Sequence, residues 1–435
     1  MESTKVKIEG NFKLKFIINQ ISAVLICVWM FWPFFNIRGR VISVVLFFII
    51  WLFTTDHRWL NIKNWTKDLF FIAVFFVTFI PYIITKSFRY GDIEPQFILV
   101  SFPLFFVGIV LNHYYMYFKK DYTTLGRMAL VSLLAFIVGS LQTYIGLEKY
   151  PMASRILATA NDTMKELYAT LGIGDFGYIY SATFISISLL FFLRVDIKIK
   201  LIYKVITLLA LVLMLLMIVK ASYAISLMIV FSGMFITFMI RKKSNIYLYI
   251  IFAIILIIII PKNFIGNMLL SIAGLFEDNF TINSKFTDLA SGFLSEGSGQ
   301  QTSFRLQLYF SSLTTFFKNP LFGIYGPFGN PNYKVGGHSG WLDIMGLYGL
   351  FSAIPLFLGI FFNFKKQLIF YSTHQYFKYI FICQCLFVMF GLINPIIYIY
   401  EIGFTLFLLL PILPFLPQAF NRQHRKKDEL SVKGE

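Results

Sequence analysis

The stretch that decides the fold is residues 201–219, which read LIYKVITLLALVLMLLMIV. A second apolar run, SYAISLMIVFSGMFITFMI, follows at residues 222–240. A helix needs about 20 apolar residues to cross the hydrocarbon core of a bilayer. Backbone groups inside lipid must be hydrogen-bonded within their own segment, which favours helices over open strands. Both runs are therefore predicted to be transmembrane helices.

Similar apolar runs flank this pair along the whole chain. They lie at residues 16–35, 41–54, 69–84, 97–118, 125–147, 178–193, 246–261, 341–362, 377–394 and 402–417. Hydrophobic residues make up 58% of the chain and charged residues 14%, whereas soluble domains carry about 25% charged residues. The predicted fold class is an all-α polytopic membrane protein with about 12 transmembrane helices, residues 1–435 forming a single transmembrane domain.

The positive charges predict the orientation of these helices. Most of the 38 lysines and arginines share one side of the membrane if the N-terminus is cytoplasmic, and cytoplasmic loops are enriched in Lys and Arg. Both termini are therefore predicted in the cytoplasm, with a basic tail at 418–435. This scattered pattern indicates membrane topology, and no nucleic-acid partner is expected despite the net charge of +17. Two long segments then lie outside, an outer loop at 148–177 and a larger one at 262–340.

The larger outer loop ends in a candidate general base. His338 stands in the sequence GGHSGW at residues 336–341, directly before a predicted helix with Asp343 in its first turn. The partial positive charge of a helix N-terminus disfavours a protonated imidazole, and neutral imidazole is the form that accepts a proton. The flanking glycines leave room for a bulky substrate. The alternative interpretation is a loop histidine that only caps the helix.

Two arginines in the outer loops are candidate phosphate ligands. The pattern from Ser303 to Phe317 predicts an amphipathic helix with Ser303 as its N-cap, which places Arg305 in the first turn. A guanidinium beside free backbone N–H groups suits a phosphate. Arg155, in the loop 148–177, would complete a clamp around a pyrophosphate. For Arg305 the plain alternative is contact with lipid headgroups.

Metal and disulfide chemistry are not predicted. All three cysteines (Cys27, Cys383 and Cys385) lie inside apolar runs and form no disulfide framework. The outer acids Asp92 and Glu94 sit in a short turn, which does not favour a metal site. The expected site therefore works without a metal or another cofactor.

The outer segments resemble the bacterial O-antigen and capsule polymerase (Wzy) and O-antigen ligase superfamily. The resemblance rests on Arg305, KNPLFG at 318–323, GHSGWLD at 337–343 and GLYGL at 346–350, with weaker similarity at 151–158 and 172–180. In that superfamily an Arg-bearing helix precedes an "nPlfGiG" motif, a His before a transmembrane helix, and a "GlyGl" ending. Some members also place a glycine eleven residues after each arginine, where this chain has Glu166 and Phe316.

The resemblance implies a metal-independent, inverting glycosyl transfer at the outer face of the bacterial cytoplasmic membrane. The expected donor and acceptor are oligosaccharide repeat units on undecaprenyl pyrophosphate, which are joined into surface polysaccharide. Arg305 and Arg155 would bind the donor pyrophosphate, with His338 as the base. Expected partners are the lipid bilayer, a chain-length regulator and a flippase.

Three other functions stay open at this stage. A ligase would use the same donor clamp and pass the finished glycan to another acceptor. A transporter or flippase would place charged groups at mid-membrane, whereas Lys204 and Lys220 lie near the ends of predicted spans. A membrane scaffold without enzymatic activity is the remaining alternative.

Overall fold

A computed structural model of the chain describes residues 2–35, 41–90, 102–159, 162–194, 200–239, 262–278, 280–294, 300–326, 330 and 332–420. Every regular element in these ranges is helical, in agreement with the all-α prediction. Six helices in the described part of the chain are long and apolar enough to cross a membrane. They are Leu14–Phe31, Tyr122–Lys149, Phe176–Arg194, Leu201–Ala221, Gly340–Phe370 and the composite helix Tyr400–Gln418. Four shorter apolar helices accompany them: Ile42–Thr54, Phe102–Phe118, Ile225–Met239 and Phe377–Ile393. The chain is a helical membrane protein.

The chain divides into two compact units, each described by itself. The first comprises residues 1–66, 106–217 and 401–435. Its main helices are Glu2–Phe31, Val41–Thr54, Tyr122–Lys149, Ala153–Thr159, Asp162–Thr170 and Phe176–Arg194, with a terminal series Tyr400–Phe404, Thr405–Leu409, Leu410–Ile412 and Leu413–Gln418. The helices Phe102–Asn112 and Leu201–Ala221 contribute residues to both units.

A buried set of side-chain hydrogen bonds joins three helical segments of the first unit. The Asn19 amide donates to the Trp51 carbonyl oxygen at 3.1 Å, the Tyr115 hydroxyl donates to Asn19 Oδ1 at 2.5 Å, and Trp51 Nε1 donates to the Tyr115 hydroxyl at 3.0 Å. All three side chains are buried. Because an unpaired polar group is costly to bury, this closed set of bonds fixes how these segments pack.

The second unit comprises residues 67–105 and 218–400. Its helices are Lys67–Tyr90, Ala224–Met239, Lys262–Gly274, Phe280–Leu294, Gln300–Lys318, Gly340–Phe370 and Phe377–Ile393. Helix Gln300–Lys318 is called the loop helix below, and Gly340–Phe370 the broken helix.

The broken helix is interrupted at Gly349, where the backbone has φ 63° and ψ −176°. The segment 320–325 pairs with the backbone on both sides of this interruption. Ile324 and Tyr325 donate their N–H groups to the carbonyls of Gly346 and Leu347, at 3.0 and 3.1 Å. The N–H groups of Leu350 and Phe351 donate to Pro320 and Leu321, at 2.8 and 3.0 Å. Non-helical backbone at membrane depth is tolerated where protein satisfies its polar groups, as it does here.

A buried polar network ties the other end of the broken helix to its neighbours. Lys366 forms an ion pair with Asp68, and Asn363 donates to the same Asp68 Oδ2 at 2.8 Å. Gln367 donates to Asn363 at 2.7 Å, and Gln384 donates to Gln367 at 2.9 Å. The network therefore links helices Lys67–Tyr90, Gly340–Phe370 and Phe377–Ile393. Asp68 lies in the first turn of its helix, so this pair stands near a helix end, not at mid-helix.

Two of the predicted runs change their helical geometry along their length. The run predicted at 97–118 is an α-helix over Phe102–Asn112 that continues as a π-helix over His113–Phe118. The run predicted at 402–417 passes from α to π, briefly back to α and then to 3-10 geometry, in a segment that carries prolines at 411, 414 and 417. The run predicted at 246–261 lies outside the described residues. The segments 148–177 and 262–340, predicted to lie outside the membrane, carry short helices in addition to the expected amphipathic one.

Candidate functional site

The loop helix begins earlier than predicted. It runs from Gln300 to Lys318, so Ser303 is its fourth residue and not its N-cap, and Arg305 lies in the second turn. Glutamine is a good helix former, and Gln300 and Gln301 extend the helix ahead of the apolar stripe that marked the predicted start. The predicted advantage of Arg305, a place beside free N–H groups of the first turn, was therefore wrong. Arg305 lies seven residues before Ser312 in the same helix.

Ser312 connects the loop helix to the start of the broken helix. Its hydroxyl donates to Asp343 Oδ1 at 2.6 Å and accepts a hydrogen bond from the Gly336 N–H at 2.9 Å. Both Ser312 and Asp343 are buried. Ser311 and Thr315 donate to the Lys334 carbonyl, each at 2.7 Å. The loop that leads to His338 is therefore held along two turns of the loop helix.

Asp343 organises the residues around His338. Its carboxylate accepts from the N–H groups of Gly337 at 3.3 Å and Ser339 at 3.0 Å, in addition to Ser312. Ser339 is the N-cap of the broken helix and accepts from Leu342 N–H at 3.4 Å. His338 stands one residue before the cap and is half-buried. The helix cap is therefore Ser339 and not His338.

The charge environment of His338 differs from the prediction. The sequence argument considered only the positive end of the helix dipole, whereas the Asp343 carboxylate also interacts electrostatically with His338. A buried carboxylate next to a helix N-terminus offsets the partial positive charge there. Asp343 therefore places a negative charge near His338, which the helix dipole alone would not provide.

Two adjacent glycines shape the loop for different reasons. A Cβ on Gly336 would come within 2.3 Å of the Leu308 carbonyl oxygen, so Gly336 permits the loop to press against the loop helix. Gly337 has φ +72° and open space around its Cα. The prediction that both glycines make room for a substrate was wrong for Gly336, which is used in packing. Because Arg305 is one turn before Leu308, the packed loop brings the His338 backbone next to the Arg305 helix.

The start of the broken helix is anchored from a second direction. Gly340 N–H donates to the Asn394 carbonyl at 2.9 Å, and Trp341 Nε1 donates to the Val388 carbonyl at 2.8 Å. A Cβ on Gly391 would lie 2.4 Å from the Trp341 ring, so the indole packs directly on the backbone. His338 is therefore carried by a rigid support, as a general base requires.

An aromatic group lies near Asp343. The rings of Tyr325 and Tyr348 have centroids 6.0 Å apart, and Phe102 stands 6.2 Å from both Tyr348 and Tyr398. Burial raises the pKa of the Tyr398 phenol, and Asp343 and Tyr325 raise it further. Tyr398 thus remains a protonated hydrogen-bond donor close to the Asp343 carboxylate. The sequence analysis missed these tyrosines because they are separated along the chain.

Arg155 lies in the first unit, whereas Arg305 and His338 lie in the second. It is half-buried on the short helix Ala153–Thr159, and its backbone N–H donates to the Met152 carbonyl at 3.1 Å. The rings of Tyr150 and Tyr168 pack nearby in a tilted arrangement, with centroids 5.4 Å apart. The role of Arg155 stays a prediction.

No three acidic, histidine or cysteine side chains gather in the described ranges in a way that could hold a metal ion. The absence of metal chemistry nevertheless stays a prediction. Comparison with known proteins adds no assignment, because no family model and no curated protein matches the chain.

Proposed function

We propose that this chain is a membrane glycosyltransferase that polymerises oligosaccharide repeat units carried on undecaprenyl pyrophosphate. In this proposal about 12 helices cross the bacterial cytoplasmic membrane, both termini are cytoplasmic, and the segments 148–177 and 262–340 lie outside. The product is a surface polysaccharide such as O-antigen, capsule or exopolysaccharide. The resemblance of the segments 305–350 to the Wzy polymerase and O-antigen ligase superfamily supports this choice.

One observation carries the proposal: a buried carboxylate holds the loop of a half-buried histidine against the helix of Arg305. Asp343 accepts hydrogen bonds from both residues that flank His338, and from Ser312 on the loop helix. By the rise of 1.5 Å per residue, Arg305 lies about 10 Å along the helix from Ser312. The proposal assigns the acceptor hydroxyl to the side of His338 and the departing phosphate to the side of Arg305, because the two lie on opposite faces of the anomeric carbon in a direct displacement.

The proposed step is a direct displacement at the anomeric carbon of the donor glycan. His338 takes the proton from an acceptor hydroxyl as the new C–O bond forms. The bond from the anomeric carbon to the pyrophosphate oxygen breaks, and its electron pair leaves on the polyprenyl pyrophosphate. Arg305 stabilises the charge that develops there. Removal of one such contact costs about 2–4 kcal/mol in the transition state.

The partly exposed rings of Tyr325 and Tyr398 give the glycan a surface to bind, and the buried Tyr348 packs against Tyr325. Aromatic faces carry partial negative charge and attract the C–H faces of sugar rings. The Tyr398 hydroxyl adds a hydrogen-bond donor at the edge of this surface.

Deletion of the gene in its host tests the reaction class. A polymerase predicts that surface glycan shortens to a single repeat unit, and that wild-type protein restores long chains. His338→Ala and Arg305→Ala are expected to restore none. Arg305→Lys keeps the positive charge but loses the bidentate hydrogen bonding of the guanidinium, so we expect it to restore long chains only in part.

His374 provides a matched control, because it is also a loop histidine but contacts Tyr371 and lies outside the candidate site. His374→Ala should restore long chains fully. Full-length glycan that stays on its lipid carrier in the deletion strain would indicate the ligase alternative. Repeat units retained on the cytoplasmic side would indicate a flippase, and normal chain length with His338→Ala would remove the base assignment.

A further inference from the structure

A cavity of about 680 Å³ lies between the broken helix and helix Phe377–Ile393. The residues from the broken helix recur at helical spacing, with Phe361, Lys365 and Ile369 each one turn apart. Those from the second helix recur in the same way, as in Phe381 and Cys385. The cavity is therefore a groove between two parallel stripes of side chains, and all of it belongs to the second unit.

The groove is open at its sides. Phe361 is 56% exposed, Ile369 62% and Met389 61%, although all three are large apolar residues. The two helices are in contact beside the groove, because Trp341 and Phe364 both pack their rings on Phe387 and Gln384 donates to Gln367. The groove is thus an open furrow next to a closed contact between two helices.

Polar residues are few in the groove. Its polar end is at Ser372, in the turn that joins the two helices. Lys365 lies seven residues before Ser372 on the broken helix, and its flexible stem can carry the ammonium group toward this end. Apart from Gln384, the rest of the lining is apolar. From Phe377 to Met389 the groove runs about 18 Å at 1.5 Å per residue, close to the roughly 15 Å of one bilayer leaflet. This length, the apolar lining and the lysine match a lipid molecule.

Lys365 gives the groove a charge preference. Its neighbour Lys366 is paired with Asp68, but no carboxylate among the described residues forms an ion pair with Lys365. The Lys365 side chain is exposed beside the lining. An uncompensated ammonium at a lipid-sized groove attracts an anionic head group, and its flexible stem lets it follow the phosphate.

We propose that this groove binds one anionic phospholipid from the leaflet on the Lys365 side of the membrane. The phosphate contacts Lys365 near the polar end, and one acyl chain lies along Phe361, Cys385 and Met389. This site is separate from the loop that carries His338, and it does not depend on the proposed glycosyl transfer.

The test compares two lipids with identical acyl chains, phosphatidylglycerol and phosphatidylcholine, added to the delipidated full-length protein in detergent. Bound lipid is counted by native mass spectrometry. We expect phosphatidylglycerol to bind on the order of fivefold more tightly, the effect of one lysine near an anionic head group. Lys365→Gln should remove this preference. Lys378→Gln is the control, because Lys378 lies over the Tyr379 ring and outside the groove lining.

Cysteine labelling gives a second measurement that needs no substitution. Cys385 is partly accessible and lines the groove, whereas Cys27 and Cys383 are buried. Phosphatidylglycerol should slow the reaction of Cys385 with N-ethylmaleimide several-fold. Equal binding of the two lipids, or a preference that survives Lys365→Gln, would overturn the proposal. A dimer that excludes lipid from Cys385 would also overturn it, since a second copy would then fill the groove.

Discussion

The hydroxyl group of Ser312 lies 2.6 Å from Oδ1 of Asp343, and both side chains are buried. This bond joins the helix of Arg305 to the first turn after His338, two elements that are separated by more than twenty residues of loop and turn. The loop between them can change its course only if a buried donor or acceptor loses its partner. The geometry of the candidate site therefore depends on this pair.

Replacement of Ser312 by alanine tests that dependence. Asp343 would lose one donor and the Gly336 N–H its acceptor, so we expect a loss of about 1–3 kcal/mol of unfolding free energy, together with shorter surface glycan. Ser311→Ala is the matched control, since Ser311 is half-buried and bonds only the Lys334 carbonyl among its described contacts. Equal effects of the two variants on glycan length would show that the Asp343 contact has no special importance.

The interruption of the broken helix can be tested with a pair of glycines. Gly349→Ala adds a Cβ within 2.4 Å of the Leu321 backbone at a position with φ +63°. Gly337→Ala meets only the backbone strain, because the space around it is open. We expect about 1–2 kcal/mol of destabilisation for Gly337→Ala from the left-handed conformation, and clearly more for Gly349→Ala. Thermal unfolding in detergent measures both, and the reverse order would contradict this account of the interruption.

The buried ion pair predicts a strong contrast between two adjacent lysines. Lys366→Met leaves the buried Asp68 carboxylate with only part of its partners, and such removal costs about 3–5 kcal/mol. Lys365→Met, one residue earlier on the exposed side, should change the unfolding free energy by less than about 0.5 kcal/mol. Combining Lys366→Met with Asp68→Asn should recover part of the loss. A double variant no more stable than Lys366→Met would mean that the charge left behind is not the cause.

Asp56 gives the protein a pH-dependent contact outside the predicted spans. Hydrogen bonds from Arg58, at 2.7 Å, and from Lys119, at 2.7 Å, hold the pKa of the Asp56 carboxyl well below its usual range. A carboxyl with a lowered pKa stabilises the fold above its unfolded pKa of about 3.9, and this stabilisation is lost as the pH falls further. The difference in melting temperature between wild type and Asp56→Asn should therefore shrink as the pH falls from about 5 to about 3.

High salt offers the control for this prediction. Arg58 is exposed, and in about 1 M salt dissolved ions screen the attraction between exposed charges over a Debye length of about 3 Å. The difference in melting temperature between wild type and Asp56→Asn at about pH 7 should therefore decrease in about 1 M salt. A difference that grows as the pH falls would contradict the assignment.

The helical membrane character could be predicted from the sequence because helices surrounded by lipid need long runs of apolar residues. Runs such as 201–219 have few alternatives once length and hydropathy are known. The interruption at Gly349 could not be predicted in this way, since it depends on pairing with Pro320 and Leu321, about thirty residues earlier. The glycines that permit it were visible only as part of a motif.

The candidate site was predictable in its residues but not in its support. His338 stands before a helix as expected, because a glycine-rich segment followed by Ser339 marks a helix start. Asp343 was noted only as a first-turn acid, and Ser312 was not singled out, since their contact joins positions thirty-one residues apart. The predicted start of the loop helix was wrong because the helix begins several residues before its apolar stripe.

The two halves of the broken helix are held together by the segment 320–325, which pairs with the backbone on both sides of Gly349 and is not part of the helix. This segment supplies the hydrogen bonds that an unbroken helix would form within its own backbone. A cut in this segment, or a change that loosens it, would let the part that carries Trp341 swing independently of the part that carries Lys366.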